Sequence, residues 1–89
     1  MSQAKKWPIK RCVEIEFTDA CTSGGWMALE RQRKETGTSL CRSIGFLVDA
    51  TADHVTVAQS ISQTTENVSD TMSIPRAAIR RMITVKGLR

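Results

Sequence analysis

The chain has 89 residues, of which 40% are hydrophobic and 25% charged, and its formal net charge is +4. These values are typical of one small soluble domain and exclude a second domain, a disordered chain and most enzymes with an elaborate cofactor pocket. No apolar run approaches the roughly 18 residues of a membrane-spanning helix. The charged first ten residues lack the apolar stretch of a signal peptide, so we expect a cytoplasmic protein without membrane contact.

Strict alternation defines the first predicted strand, residues 10–17. A period of two is typical of a strand with one buried face. The apolar side chains predicted to enter the core are Val13, Ile15 and Phe17, and the acidic side chains predicted to face solvent are Glu14 and Glu16.

A loop and a short helix are predicted next. Residues 18–25 are mostly turn formers and end in two glycines, which adopt backbone angles that other residues avoid. Residues 26–35 lack β-branched side chains and are rich in good helix formers. We therefore expect a short helix in this segment, anchored by Trp26 and Leu29.

A β-hairpin is the clearest pattern in the sequence. Residues 43–49 and 54–61 are rich in Val, Ile, Phe and Thr and flank a short polar connection. The side chains predicted to face the core are Ile44, Phe46, Val48, Val55, Val57 and Ile61. Gly45 predicts a bulge or a sharp bend of the kind that small barrels need. The polar residues 62–70 predict an exposed excursion.

The last elements are a short strand, a turn and a segment that fits two structures. Residues 71–74 predict the strand, and Pro75 suits the first position of a helical turn. Residues 79–86 fit a helix with one apolar face or an alternating strand, and the β-branched cluster at residues 83–85 favours the strand.

Together the elements predict a mainly β fold. It is a five-stranded antiparallel barrel with a short helix after the first strand and a helical turn before the last. We expect a tail, residues 1–9, followed by a single domain, residues 10–89.

Several segments resemble known small β proteins. They are VEIEF at residues 13–17, GGW at 24–26, SIGFLV at 43–48, VTVAQS at 55–60 and IPR at 74–76. In this order, the segments resemble those of small proteins of tailed bacteriophages and prophages. The order of the predicted strands is similar to that of Sm-like and Src-homology-3-like (SH3-like) barrels. The resemblance implies a phage or prophage accessory protein. The Arg-Gly step that lines the RNA-binding pore of Sm proteins is missing, so RNA binding of the Sm kind is not implied.

Few residues suit catalysis. The only histidine, His54, lies beside the predicted hairpin turn, and no nucleophile elbow or phosphate-binding loop is present. Three cysteines, Cys12, Cys21 and Cys41, are an odd number for a disulfide framework and predict reduced thiols. A zinc site of these thiols and His54 is an alternative, but no C-x-x-C pair supports it. We predict that the protein is not an enzyme and holds no cofactor or metal.

Both ends of the chain are basic. No acidic residue precedes Glu14 or follows Asp70. Since the first and last strands of small barrels are commonly neighbours, the two ends would merge into a patch that attracts phosphate backbones. The candidate nucleic-acid contacts are Lys5, Lys6, Lys10, Arg11, Arg76, Arg80, Arg81 and Lys86. The alternative is that these cations provide solubility and protect strand edges.

Trp7 and Trp26 are the candidate protein-interface residues. Tryptophan in polar surroundings is typical of interface anchors, although Trp26 also fits a lid over one end of the barrel core. Exposed edge strands favour pairing between copies, so a homo-oligomer is one expected form. We predict a protein-interaction or assembly module, with nucleic-acid binding as the alternative.

Overall fold

A computed structural model describes residues 6–20, 25–34 and 36–86. The strands are β1 Cys12–Ala20, β2 Thr38–Ala50, β3 His54–Ile61, β4 Val68–Pro75 and β5 Ile79–Thr84, and the helices are α1 Leu29–Lys34 and a 3₁₀ turn at Arg76–Ala78. The five strands form one antiparallel sheet in the order β4-β3-β2-β1-β5. The predicted mainly β fold is confirmed, and the helices are minimal.

The sheet is curled but open. β4 and β5 lie at its opposite edges, yet only the 3₁₀ turn joins them. The edges of a flat five-stranded sheet are about 19 Å apart, whereas the four Cα steps from Pro75 to Ile79 span at most about 15 Å. The sheet must therefore curl to bring its edges together. Within the described residues β4 and β5 do not pair with each other, so the predicted closure into a barrel is not confirmed.

β1 and β2 form a longer hairpin than the sequence predicts. Their pairing runs without interruption from Cys12 opposite Phe46 to Ala20 opposite Thr38. The added residues of both strands are mostly polar or small, and therefore carry no apolar alternation. Backbone hydrogen bonds between strands do not require apolar side chains, so the pairing continues beyond the pattern that predicts it.

The core lies on one face of the sheet. Its buried members are Val13, Ile15, Phe17, Val55, Val57 and Ile74. The predicted inward face of β1 is thus confirmed, and so are two of the three predicted core positions of β3. The third, Ile61, is half-buried and lies outside this cluster.

β2 presents the opposite face from the one predicted. Ile44 and Val48 are exposed, and Phe46 is half-buried outside the core cluster, whereas Cys41 and Leu47 pack against it. The prediction was wrong because β2 carries apolar residues on both faces. The inner face includes the small residues Cys41, Ser43 and Gly45, and the buried Gly45 lies against β3.

Gly45 allows β2 and β3 to approach closely. A Cβ at this position would lie 2.9 Å from the carbonyl oxygen of Ala58 and 3.1 Å from Val57 Cβ. The pairing of β2 with β3 shifts register between Leu47 and Asp49, so the irregularity lies near the glycine but not at it. No bulge therefore lies at Gly45, and the glycine instead provides the close approach of the two strands.

The segment after Pro75 is a strand, as the β-branched cluster predicts. Pro75 is the residue that immediately precedes the 3₁₀ turn. β5 then pairs with β1, with a register shift between Glu16 and Phe17. The helix after β1 is shorter than predicted, because α1 begins at Leu29; Glu35, the last residue of the predicted helix, lies outside the described residues.

Candidate functional site

Basic residues from both ends of the chain meet at one end of the β1–β5 pair. Arg11 Nε donates to Thr84 Oγ1 at 3.1 Å, and the N–H of Val85 donates to the carbonyl oxygen of Cys12 at 2.8 Å. The first and last strands are therefore neighbours, as the charge argument requires. The exposed cations at this end are Lys10, Arg11 and Lys86.

Arg76 lies at the other end of β5 and binds the protein itself. Its Nε donates to the carbonyl oxygen of Thr51, and its backbone N–H donates to that of Asp53, both at 2.8 Å. These bonds attach the 3₁₀ turn to the turn between β2 and β3. The structure therefore does not bring Arg76 together with Lys86. Lys6 is exposed before β1, and Lys5 lies outside the described residues.

Arg80 and Arg81 lie on the outer face of the sheet, beside acidic side chains. Arg80 Nε donates to Thr18 Oγ1 at 3.1 Å. Arg81 lines a shallow depression with Glu14 and Glu16, which face outward as predicted. Carboxylates repel a phosphate backbone, so these glutamates interrupt the predicted basic strip.

Arg42 of β2 completes this ion cluster and was missed by the sequence analysis. Its Nε lies 3.0 Å from Glu14 Oε1, and its Nη2 lies 3.4 Å from Glu16 Oε2. An exposed ion pair contributes only about 0–1 kcal/mol to stability. Arg42 lies before the predicted β2, so the sequence offers no signal that it would face two glutamates of β1.

Apolar side chains flank the ion cluster on the outer face. Leu40 is 65% exposed and Ile44 is 62% exposed on β2, and Ile83 is exposed on β5. Singly exposed aliphatic residues are common, but several on one face favour an interaction surface.

Both tryptophans are exposed. Trp7 is 43% exposed, and Trp26, at 105%, is as open to solvent as in an unfolded peptide. The alternative in which Trp26 covers the core is therefore wrong. Gly25 before it has φ +81°, a left-handed conformation that suits glycine.

The predicted anchoring of the helix is also not observed. Leu29 is 63% exposed, and α1 has no buried residue. We call residues 25–34 the arm. It belongs to the connection between β1 and β2 and presents Trp26 and Leu29 to solvent.

An apolar groove lies between the end of β1 and β4. Its volume is about 340 Å³. The lining includes Phe17, Asp19, Ala20, Met72, Ile74 and Ala78. The groove arises because the curled sheet brings β1 and β4 face to face without pairing, so no local sequence pattern indicates it.

His54 lies at the start of β3 next to the turn, as predicted. Its Nδ1 is 3.3 Å from Thr51 Oγ1, and its Nε2 is 3.9 Å from Asp49 Oδ2. Cys12 and Cys41 are free and half-buried on different strands, whereas Cys21 lies outside the described residues. Within the described ranges no three side chains of His, Cys, Asp or Glu are grouped to hold a metal ion.

Comparisons with protein-family models, curated proteins and solved structures find no match to this chain. In the part of the chain that the structure describes, no helix has both the length and the apolar character needed to cross a membrane.

Proposed function

We propose that this protein is a non-enzymatic interaction module that binds another protein. The observation that carries the proposal is the complete exposure of Trp26 on the arm, beside an exposed Leu29. A tryptophan left in water forgoes a large gain from burial, and tryptophan is among the most frequent hot-spot residues of protein interfaces.

The exposed aliphatic residues favour a protein partner over nucleic acid. Leu29, Leu40 and Ile44 are each more than 60% exposed. Burial against an apolar surface stabilises such side chains by about 25 cal/mol per Å², whereas a phosphate backbone offers them no comparable gain. A binder of single strands also normally presents several stacking aromatic side chains.

Two finer features belong to the same proposal. The short connection between the edge strands favours a sheet that closes toward an SH3-like or Sm-like barrel. The resemblance of the sequence segments to phage and prophage proteins supports an accessory role in the host cytoplasm.

Nucleic-acid binding is the second candidate function. It is favoured by the meeting of Lys10, Arg11 and Lys86 at one end of the β1–β5 pair. A site of this size would contact few phosphates, because Arg76 is held elsewhere and Glu14 and Glu16 lie beside Arg81.

The first experiment tests the two functions on one protein. A photo-crosslinking amino acid replaces Trp26 in the arm or, as a control, Glu66 in the exposed turn between β3 and β4. We expect defined protein adducts by mass spectrometry from position 26 and none from position 66. Binding of fluorescent single-stranded and duplex oligonucleotides is measured in parallel by anisotropy at about 0.15 M salt, where weak contacts of exposed charges are screened.

The double variant Lys10→Glu/Lys86→Glu reverses two of the three positive charges at this end of the β1–β5 pair and keeps the hydrogen bond from Arg11 to Thr84. We expect weak oligonucleotide binding that disappears near 0.15 M salt. Tight binding at this salt that the double variant abolishes, with a log–log salt slope of about −0.7 to −0.9 per phosphate contacted, would contradict the proposed function and establish the second candidate.

A further inference from the structure

The arm and the groove are complementary parts of the same chain. The arm carries the exposed side chains of Trp26 and Leu29, and the groove between β1 and β4 is an open, mainly apolar cleft. The exposed side chains of the arm could therefore be buried in a cleft of this kind. From this we propose that two copies of the chain exchange arms, so that Trp26 and Leu29 of one copy occupy the groove of the other. This inference rests on the proposed function and names its partner as a second copy.

The size of the groove fits this occupant. About 340 Å³ lies within the range of small-molecule pockets, which accommodate groups as large as an indole. Its lining includes the apolar side chains of Phe17, Met72, Ile74 and Ala78 together with the hydroxyl-bearing Thr18 and Ser73. A tryptophan entering it would exchange water for aromatic and aliphatic contacts.

Charge also favours this pairing. Residues 29–34, LERQRK, carry three cations and one anion. Among the described residues the groove is lined by the carboxylate of Asp19 and by no cationic side chain. An arm that enters with its apolar side chains inward would place its basic side chains near this carboxylate, where opposite charges attract.

A second copy fits better than the chain's own arm. Ala20 forms part of the groove wall and is also the last paired residue of β1 before the arm. The described lining of the groove includes no residue of the arm of the same chain. In the structure the arm instead leaves the groove open, with Trp26 wholly in solvent.

In a two-fold symmetric dimer, each arm occupies the groove of the other copy, so both grooves are filled. Since an aromatic side chain buries about 150–250 Å², two exchanged tryptophans with their leucines and the groove walls bury on the order of 1,000 Å². Interfaces of this size are at the weak end of specific association. We therefore expect a reversible dimer with a dissociation constant in the micromolar range.

Sedimentation of the full-length chain over a range of concentrations is the primary test. Trp26→Ala removes the arm's anchor, and Met72→Arg places a charge in the groove; each should raise the dimer dissociation constant about tenfold or more. Val68→Arg is the matched control, because Val68 and Met72 lie on β4 with the same 37% exposure and only Met72 lines the groove. Trp7→Ala is the control for loss of a tryptophan. Both controls should stay within twofold of the original chain.

Mixing the two interface variants gives an independent readout. Trp26→Ala keeps an intact groove and Met72→Arg keeps an intact arm, so a mixture restores one of the two contacts. We expect heterodimers at concentrations where neither variant self-associates. Because both variants retain one functional surface, this recovery also excludes misfolding as the cause of lost dimers.

Tryptophan fluorescence locates the arm. In the variant Trp7→Phe, Trp26 is the remaining tryptophan, and its emission should move to shorter wavelength as concentration rises.

A monomer whose emission is already at short wavelength at every dilution would show that the arm enters its own groove and would overturn the exchange. A monomer at all concentrations with solvent-exposed Trp26 would also overturn it, as would a dimer that survives Trp26→Ala. A monomer would leave the proposed function standing if position 26 still crosslinks to a different protein.

Discussion

At the scale of single residues, one turn residue and one strand residue adopt backbone angles that favour glycine. Glu66 has φ +60° and Asp70 has φ +52°. Left-handed backbone costs a residue with a Cβ roughly 1–2 kcal/mol, and aspartate tolerates it better than most residues. Glu66 therefore carries more strain than Asp70. Its backbone N–H closes the turn by donating to the carbonyl oxygen of Ser62 at 2.9 Å.

Relief of this strain is measurable by a paired substitution. Glu66→Gly and Glu66→Ala both remove the carboxylate and both keep the backbone N–H, so their difference reports the backbone angle. We expect the glycine variant to be more stable than the alanine variant by about 0.5–1 kcal/mol in urea unfolding, after the greater flexibility of unfolded glycine is included. Equal stability, or a more stable alanine variant, would mean that Glu66 is not held in the left-handed region.

At the scale of elements, the close packing of β2 on β3 depends on the missing side chain of Gly45. The atoms that a Cβ would meet are a backbone oxygen and a Cβ, neither of which can move by changing rotamer. Relief would require the strands to separate. The close approach of β2 and β3 therefore depends on this residue.

Gly45→Ala should cost about 1–3 kcal/mol of unfolding free energy, as overpacked core positions do. Gly37→Ala is the matched control: Gly37 has open space around its Cβ position and no left-handed φ, so alanine there should be neutral or stabilise by up to about 1 kcal/mol. Thermal and urea unfolding of both variants give the comparison. A Gly45→Ala variant as stable as the Gly37→Ala variant would contradict the close approach.

At the scale of the whole molecule, stability is distributed unevenly over the sheet. β1 pairs with β2 on one side and β5 on the other, and it supplies three of the core residues. β4 pairs with β3 alone and contributes one buried residue, Ile74. Segments with few buried contacts open locally at lower free energy than the core.

Amide hydrogen exchange should follow this difference. At a dilution where the chain is monomeric, we expect the amides of β4 to exchange at least about tenfold faster than those of β1. Nuclear magnetic resonance resolves both strands residue by residue. Equal protection of β4 and β1 would show that the outer edge of β4 is covered, as in a sheet fully closed into a barrel.

Local sequence patterns determined most of the secondary structure. Alternation predicted the inward face of β1, β-branched composition predicted the β2–β3 hairpin and the last strand, and Pro75 predicted the helical turn, because each signal depends on neighbours in the chain: side chains two residues apart share a face, and proline fixes its own φ. The outward orientation of Glu14 and Glu16 follows from the same local rule. The two tryptophans and the basic chain ends, proposed as functional from composition, were also visible in the sequence, although their function stays a prediction.

Tertiary structure alone decided which face of β2 is buried, how far the β1–β2 hairpin extends, and what surrounds each candidate residue. The inner face of β2 is set by the approach of β3 at Gly45, and side-chain size along one strand does not encode that approach. The pairing of Arg42 with Glu14 and Glu16 depends on strand register, and the groove depends on the curl of the sheet. The exposure of Trp26 likewise follows from an arm that makes no core contact, because burial depends on contacts between segments that are distant along the chain.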